Sequence, residues 1–197
     1  MTAESYRTLA APATAEFRDR GSRFLAFVFP ARDVAEAKAV LAEKRKEHPK
    51  ANHHCLAYRI GPDTRASDDG EPSGSAGRPM LGAIDSAGLD YTAVLVVRYF
   101  GGTLLGVPGL IHAYRTAVAD ALAGAETVEK FIEIPYEITC DYGSVGDVLR
   151  VVRMQDGTVL KQDMQLFCTV VAGIRPSVEE RFLSAMTDIQ GATVKKV

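Results

Sequence analysis

The chain has 197 residues, of which 47% are hydrophobic and 24% charged, and its formal net charge is −2. This composition is typical of a globular protein with one large or two small domains, and the near balance of charge excludes broad, sequence-independent binding of nucleic acid. No apolar run approaches the roughly 18 residues that cross a bilayer, and the N-terminus lacks the pattern of a secretory signal, so we expect a cytoplasmic protein without a membrane segment.

The first elements are predicted to form a hairpin. Residues 1–12 are small and polar and are expected to be partly frayed. Residues 13–20 alternate weakly and residues 22–29 have the composition of a strand, with Gly21 between them as a tight turn. This pattern predicts two antiparallel strands at the start of the domain.

A helix and another strand follow the hairpin. Asp33 is the predicted N-cap of the helix, and Glu36 completes a predicted capping box. Residues 53–60 read HHCLAYRI and predict a strand whose apolar residues are buried. His53 and Arg59 are then left facing a ligand or solvent.

The centre of the chain contains two glycine-rich segments around an apolar strand. Residues 61–77 combine Pro, Asp, Ser and Gly at a density that predicts irregular structure, with a short helix over 75–87. Residues 93–99 are apolar on both faces, which is typical of a central strand covered on both sides. Residues 110–123 have the spacing of an amphipathic helix.

The C-terminal third predicts a second unit. Its elements are strands at 132–140, 157–161, 166–172 and 192–196, a helix at 144–152 and a second helix capped by Ser177, with a turn around Gln162 and Asp163. The order β-α-β-β-α-β is that of the split βαβ, ferredoxin-like plan. We therefore predict an α+β protein with domains 1–128 and 129–197.

Three carboxylates lie close together in the acidic loop, which we define as residues 67–77. Asp68, Asp69 and Glu71 are of the type that ligates hard cations through oxygen, but their spacing is not that of an EF-hand. The alternative is a solvated, mobile loop, which its composition favours. No metal site is predicted, and the three distant cysteines favour free buried thiols.

The glycine loop, which we define as residues 101–109, lies between a strand and a helix. Backbone N–H groups at a helix N-terminus attract anions, which suits a phosphate. The loop nevertheless matches neither the dinucleotide fingerprint nor a Walker lysine motif, and its apolar residues suit a packing or protein-contact role equally. Arg98 ends the apolar strand just before it and is expected to bond an anion or one of the loop acids.

Four segments resemble the signature of the IMPACT family, called YigZ in bacteria. They are HHCLAYRIG (53–61), SDDGEPSGSAG (67–77), VVRYFGG (96–102) and GLIHAY (109–114), within a match over residues 17 to about 123. The resemblance implies an N-terminal β-α domain of the fold shared by GHMP kinases and domain 2 of a small-subunit ribosomal protein. It also implies a C-terminal domain like the ferredoxin-like domains of elongation factor G.

The resemblance also carries functional expectations. Eukaryotic members act in translational control, by competing for the activator of a starvation kinase that phosphorylates an initiation factor, and no enzymatic activity comes with the family. We predict a non-enzymatic regulatory protein with no catalytic residue or cofactor, whose partner is a protein or the ribosome and RNA of the translation machinery. The alternatives are a phosphate- or nucleotide-binding enzyme that uses His53, the three loop acids and Arg98, and a plain RNA-binding module.

The predicted working surface comprises both loops and the strand between them. The candidate ligand- or partner-binding residues are His53, Asp68, Asp69, Glu71, Ser73, Arg78, Arg98, Tyr99, Gly101, Gly102, Gly106 and Gly109. The family typically has lysine, threonine, glycine and arginine where this sequence has Leu104, Val107, Pro108 and His112. These departures predict weaker binding of phosphate or RNA and leave a protein-contact role intact.

Overall fold

Eleven strands and five helices make up most of the described part of the chain, which is residues 4–164 and 167–197 of a computed structural model. The chain divides into two units. One is Arg7–Lys130, and the other is Phe131–Val197 together with described residues 4–6. The predicted α+β class is confirmed.

The first unit is built on a five-stranded antiparallel sheet with two layers of helix. The elements up to residue 131 are β1 (Ser5–Leu9), β2 (Ala13–Asp19), β3 (Ser22–Pro30), α1 (Val34–Glu47), β4 (His53–Ile60), β5 (Asp63–Ser67), α2 (Gly77–Ser86), β6 (Thr92–Tyr99), α3 (Gly106–Ala123) and β7 (Thr127–Phe131). The sheet order is β2-β3-β6-β4-β5, and β1 and β7 form a separate two-stranded sheet. Every pairing within the five-stranded sheet is antiparallel.

Strand β6 occupies the middle of this sheet because it is apolar on both faces. Val94 and Val96 pack in the cluster that includes the buried faces of α2 and α3. Leu95 and Val97 pack on the opposite face, in the cluster that includes Ala37 of α1. Since side chains alternate along a strand, the next residue after Val97 points to the α2 and α3 face. That residue is Arg98.

The β2–β3 hairpin holds the start of the glycine loop. Arg20 and Gly21 form its turn with φ values of 44° and 81°, as a two-residue hairpin turn with positive φ requires. The backbone of Gly101 passes so close to Gly21 that a Cβ at Gly101 would overlap it. Gly101 N also donates to Ser22 Oγ at 3.2 Å, and Arg20 Nη2 donates to the Leu105 carbonyl at 3.2 Å. Hairpin and glycine loop are therefore one packed feature.

Several local predictions need correction. The segment before Pro12 contains β1, where no strand was predicted, and residues 63–67 form β5 instead of the predicted irregular structure. Strand β5 was missed because its side chains are mostly exposed, which leaves no apolar alternation to detect. Helix α3 begins four residues earlier than predicted, since proline is tolerated in the first turn of a helix. Glu36 accepts from Arg32 N instead of closing a capping box on Asp33 N.

The second unit has the predicted β-α-β-β-α-β order. It comprises β8 (Ile134–Cys140), α4 (Val145–Met154), β9 (Thr158–Met164), β10 (Cys168–Ile174), α5 (Glu179–Thr187) and β11 (Thr193–Lys196). The antiparallel sheet order is β11-β8-β10-β9, that of a ferredoxin-like fold. Gln162 and Asp163 lie inside β9, not in a turn, and Ser177 lies in a short 3-10 helix without capping α5. The predicted strand start at Leu166 lies outside the described residues.

The remaining fold-level findings concern the cysteines and the helices. Cys55, Cys140 and Cys168 are free and buried, as predicted. Within residues 4–164 and 167–197, no helix is both long enough and apolar enough to cross a membrane.

The contact between Gly21 and Gly101 predicts a large cost for one added methyl group. Gly101→Ala is expected to lower the free energy of unfolding by about 1–3 kcal/mol or more, the usual cost of overpacking. Gly82→Ala is the matched control, because a Cβ there meets nothing within 4 Å and alanine favours a helix by about 1 kcal/mol. Urea unfolding measures both. A Gly101→Ala variant as stable as the wild type would contradict the described packing.

Candidate functional site

A buried ion pair lies where β6 ends. Arg98 is 5% exposed and Glu71 is 8% exposed, and Arg98 Nη1 donates to Glu71 Oε1 at 2.6 Å. Arg98 Nη2 also lies 3.4 Å from Ser22 Oγ. The guanidinium carbon lies 5.3 Å from the ring centre of Phe24 and 5.7 Å from that of Phe100. The predicted partner of Arg98, an acid of the acidic loop, is therefore present.

Two neutral side chains continue this network beneath the pair. Tyr114 of α3 donates its O–H to Glu71 Oε1 at 2.7 Å, and Cys55 Sγ lies 3.4 Å from the Tyr114 oxygen. Burial raises the pKa of Tyr114, and burial likewise raises the pKa of Cys55 to about 12. Both groups therefore stay protonated at neutral pH. Glu71 and Arg98 are the charged members of the network.

His53 lies beside Glu71 at the start of β4. Its Nδ1 is 2.9 Å from the carbonyl oxygen of Asp69. Because a carbonyl only accepts, Nδ1 carries the hydrogen and the neutral ring has its lone pair on Nε2. That nitrogen is 3.7 Å from Glu71 Oε1, which is too far for a hydrogen bond. The neutral imidazole therefore presents an unused acceptor next to the carboxylate.

The other two loop acids bond protein groups instead of lining a site. Asp68 accepts from the backbone N–H groups of Gly74, Ala76 and Gly77 at 2.7, 3.0 and 2.8 Å. Asp69 accepts from His54 N at 2.7 Å and pairs with Arg45 at 2.6 Å. The interpretation of this segment as a solvated, mobile loop is therefore wrong. Among the described residues, no group of three His, Cys, Asp or Glu side chains is arranged to hold a metal ion.

The bonding of Asp68 changes its acidity. Burial by itself raises the pKa of this carboxyl, but the three backbone N–H donors, helped by the charge of Arg78, outweigh burial and lower it below its ordinary value. The carboxylate thus stabilises the folded state, and it fixes the end of the acidic loop against the first turn of α2.

A cavity of about 460 Å³ opens above the ion pair. Its polar lining residues are Asn52, His53, Glu71 and Arg98. Its apolar lining comes mainly from the glycine loop and the first turns of α3, namely Phe100, Leu104, Leu105, Val107 and Leu110. Leu105 and Leu110 are buried, whereas Leu104 is 83% exposed at the rim. The cavity therefore combines a polar floor with apolar walls.

The structure brings some of the candidate residues together and leaves others apart. His53, Glu71, Arg98 and Gly106 line the cavity. The others do not line it, namely Asp68, Asp69, Ser73, Arg78, Tyr99, Gly101, Gly102 and Gly109. Tyr99 points to the α1 face of the sheet, where its hydroxyl lies 2.9 Å from Nδ1 of His48. Ser73 and Arg78 are exposed near the start of α2.

Sequence reasoning missed several cavity residues. Asn52 holds the loop entrance, because its Oδ1 accepts from Phe100 N at 2.8 Å, and nothing in the local sequence indicates this. Tyr114 does not line the cavity itself, and the helical spacing gives no sign of its bond to Glu71 below the cavity. Leu104 and Val107 were noted as departures from the family pattern, and large apolar residues in a glycine-rich loop were the available signal for a wall.

The open face of the second unit's sheet offers little for RNA. Cross-strand register places two rows on the face away from the buried cluster, namely Lys161, Val171, Glu137 and Lys195, and Asp163, Thr169, Thr139 and Thr193. Neither of these described rows contains an aromatic residue, and their charges are mixed. Single-stranded RNA is usually recognised by stacking on aromatic side chains. This face therefore lacks the platform that a plain RNA-binding module uses.

The lowered pKa of Asp68 predicts a specific loss of stability in acid. Since the folded pKa lies below the ordinary value of 3.8, the stabilisation is complete above that value and is lost as pH falls through the folded pKa. Asp68→Asn is expected to cost about 1–3 kcal/mol at pH 7 and to flatten this acid-side decline. Urea unfolding between pH 2.5 and 7 measures both effects. Asp63→Asn, on an exposed position of β5, is the control and should change neither.

Removal of the Tyr114 hydroxyl tests the network below the cavity. Tyr114→Phe takes one donor from a buried carboxylate, so we expect the free energy of unfolding to fall by roughly 1–2 kcal/mol. Tyr58→Phe is the control, since Tyr58 is also buried, at 5% exposed, and its hydroxyl makes no hydrogen bond to a described residue. Equal stability of the two variants in thermal or urea unfolding would contradict a role for this hydrogen bond.

Comparison with known proteins agrees with the motifs. The Impact N-terminal domain matches residues 20–122. The chain is 34% identical over 197 residues to the IMPACT family member YigZ of Escherichia coli, covering 98% of this chain and 97% of that protein. It is 36% identical over 172 residues to an IMPACT family member of Haemophilus influenzae, with 85% and 84% covered. A crystal structure of a hypothetical protein superposes with a TM-score of 0.76 at 32% identity, over 99% of this chain and 98% of that one. The chain belongs to the Impact family.

Proposed function

We propose that this chain is a non-enzymatic regulatory protein that acts in the cytoplasm, in translation or its control, by docking a partner protein at the cavity. Membership of the Impact family supports the link to translation. The proposal places the cavity in an N-terminal domain of residues 1–128, with residues 129–197 as a separate ferredoxin-like domain. The observation that carries the docking role is the apolar rim, where Leu104 is 83% exposed, Val107 46% and Phe100 43%.

The rim suits a protein partner because it is apolar and clustered. Burial of a leucine side chain contributes about 1.5–3 kcal/mol, and exposed apolar side chains that form one contiguous patch mark sites of protein–protein interaction. Leu104, Val107 and Phe100 all belong to the lining of one cavity. A partner that fills the cavity would remove these side chains from water together.

The electrostatics of the cavity disfavour phosphate. Arg98 is the cation of the lining, and it is already paired with Glu71 at 2.6 Å. The family's usual lysine is Leu104 here. A phosphate would have to compete with a buried carboxylate for the one guanidinium, without a second cation from the lining.

One observation supports the enzymatic alternative. His53 and Glu71 lie 3.7 Å apart in a single cavity, and these residue types serve in acid–base chemistry. Asp68 and Asp69, which this alternative also required, do not line the cavity. Thermal-shift screening with nucleotides, sugar phosphates and divalent ions tests it, and a flat screen would end the case for a phosphate-binding enzyme.

Ribosome association tests the proposed function. The tagged full chain is expected to co-sediment with ribosomal or polysomal fractions, and Leu104→Ser should weaken this association about tenfold or more, since the leucine contributes by burial alone. Leu160→Ser, at a 54% exposed leucine of β9, is the matched control and should leave association unchanged.

Variants of Arg98 or Gly101 are poor tests, because both residues support the fold. Absence of the wild-type chain from ribosomal and polysomal fractions, with no translation factor bound, would refute the proposed function. Unchanged association of Leu104→Ser would refute the role of the cavity.

A further inference from the structure

The floor of the cavity has an unused acceptor on Glu71. Its Oε1 takes the hydrogen bonds from both Arg98 and Tyr114. Its Oε2 accepts from no described residue and is not among the fully enclosed polar atoms that lack a partner. The Glu71 side chain lines the cavity and is 3% exposed, and we infer that Oε2 is the carboxylate oxygen that an occupant of the cavity can reach. A carboxylate oxygen in a largely apolar setting favours a donor.

His53 supplies a second acceptor at the same point. The hydrogen on Nδ1 is directed to the Asp69 carbonyl, so the neutral ring offers only a lone pair at Nε2. The 3.7 Å between Nε2 and Glu71 Oε1 prevents a mutual bond but lets one donor of an occupant reach either group. The floor therefore offers two acceptors, Glu71 Oε2 and His53 Nε2, to a hydrogen-bond donor of the occupant.

The charges of the lining indicate that this donor is neutral. The charges of Glu71 and Arg98 cancel within their ion pair, and the neutral tautomer of His53 adds an acceptor without adding a charge. Arg98 and Glu71 lie 2.6 Å apart, so a charged group that binds one of them comes close to the other. A cationic group would be repelled by the guanidinium, and an anionic group would be repelled by the carboxylate. A neutral O–H or N–H meets the free acceptors without either repulsion.

The walls indicate that the donor belongs to an apolar body. Leu105 and Leu110 form buried walls and Leu104, Val107 and Phe100 the rim, around a volume of about 460 Å³. Tyrosine and tryptophan combine a large apolar ring with one polar donor, and both are enriched at protein interfaces for this reason.

We propose that the cavity anchors a tyrosine or tryptophan side chain of a protein partner, whose O–H or N–H bonds Glu71 Oε2 or His53 Nε2. This inference rests on the proposed function, in that the occupant belongs to the protein that docks there. It adds the chemistry by which that partner is chosen. A site that bonds a donor rejects an analogue without one, because the buried acceptor is then left unpaired.

Small-molecule probes in matched pairs test this inference. The full-length chain is titrated with p-cresol against toluene, and with indole against 1-methylindole, while backbone amide NMR shifts are recorded. Members of each pair have similar size and differ in the donor. Inorganic phosphate and n-butylamine serve as the anionic and cationic probes. We expect p-cresol and indole to shift amides between residues 98 and 110, and to bind at least tenfold more tightly than their partners.

Variants then locate the binding. Leu104→Ser should weaken both p-cresol and indole several-fold, whereas Leu160→Ser should not. Equal binding of p-cresol and toluene would overturn the inference, since the donor would then play no part. Tighter binding of n-butylamine or phosphate would replace it with a cation or anion site, and no binding of any probe would also refute it.

Failure of this inference is distinguishable from failure of the proposed function. If Leu104→Ser abolishes ribosome association while no probe discriminates by its donor, the docking role stands and the anchor is of another kind. If the probes discriminate as expected while ribosome association is absent or unaffected by Leu104→Ser, the pocket chemistry stands and the role in translation falls.

Discussion

The ion pair between Arg98 and Glu71 organises the first unit around its cavity. Removal of both charges from water costs several kcal/mol per ion in general, so such a pair persists only where further bonds satisfy it. Here Tyr114 and Ser22 bond the pair, and Phe24 and Phe100 flank the guanidinium. These groups come from α3, from β3 and from Phe100, the residue just before the glycine loop. The pair therefore fixes the acidic loop against elements that are distant in sequence.

The sequence predicts the scaffold better than the site, for physical reasons. Strand β6 and helix α3 bury regular apolar patterns, and such patterns are visible in the sequence. Strand β5 lies at the edge of the sheet with exposed side chains, so main-chain bonding creates it without an apolar signal. The hydrogen bond from Phe100 N to Asn52 Oδ1 likewise depends on the tertiary structure and leaves no pattern in the sequence.

The three loop acids show why a cluster in sequence need not be a cluster in space. Asp69 and Gly70 have positive φ values of 43° and 87°, so the chain turns sharply between the first acids and Glu71. Asp68 faces the start of α2, Asp69 faces Arg45 of α1 and Glu71 faces Arg98. The sequence predicted an acid as the partner of Arg98. Which acid it is depends on backbone torsions that three similar carboxylates in four residues do not reveal.

The contact between the β2–β3 turn and Gly101 has a consequence for protein engineering. Exposed hairpin turns are usually preferred sites for insertions, new chain termini and fused labels. In this protein the turn at Arg20 and Gly21 also supports the glycine loop, so a reporter inserted there would displace the wall of the cavity that it is meant to monitor. The turn at Gly61 between β4 and β5 is also crowded, because a Cβ on Gly61 would lie 3.1 Å from the hydroxyl oxygen of Tyr91. Gly143 is a better point of attachment for a label, because a Cβ there would meet nothing within 4 Å.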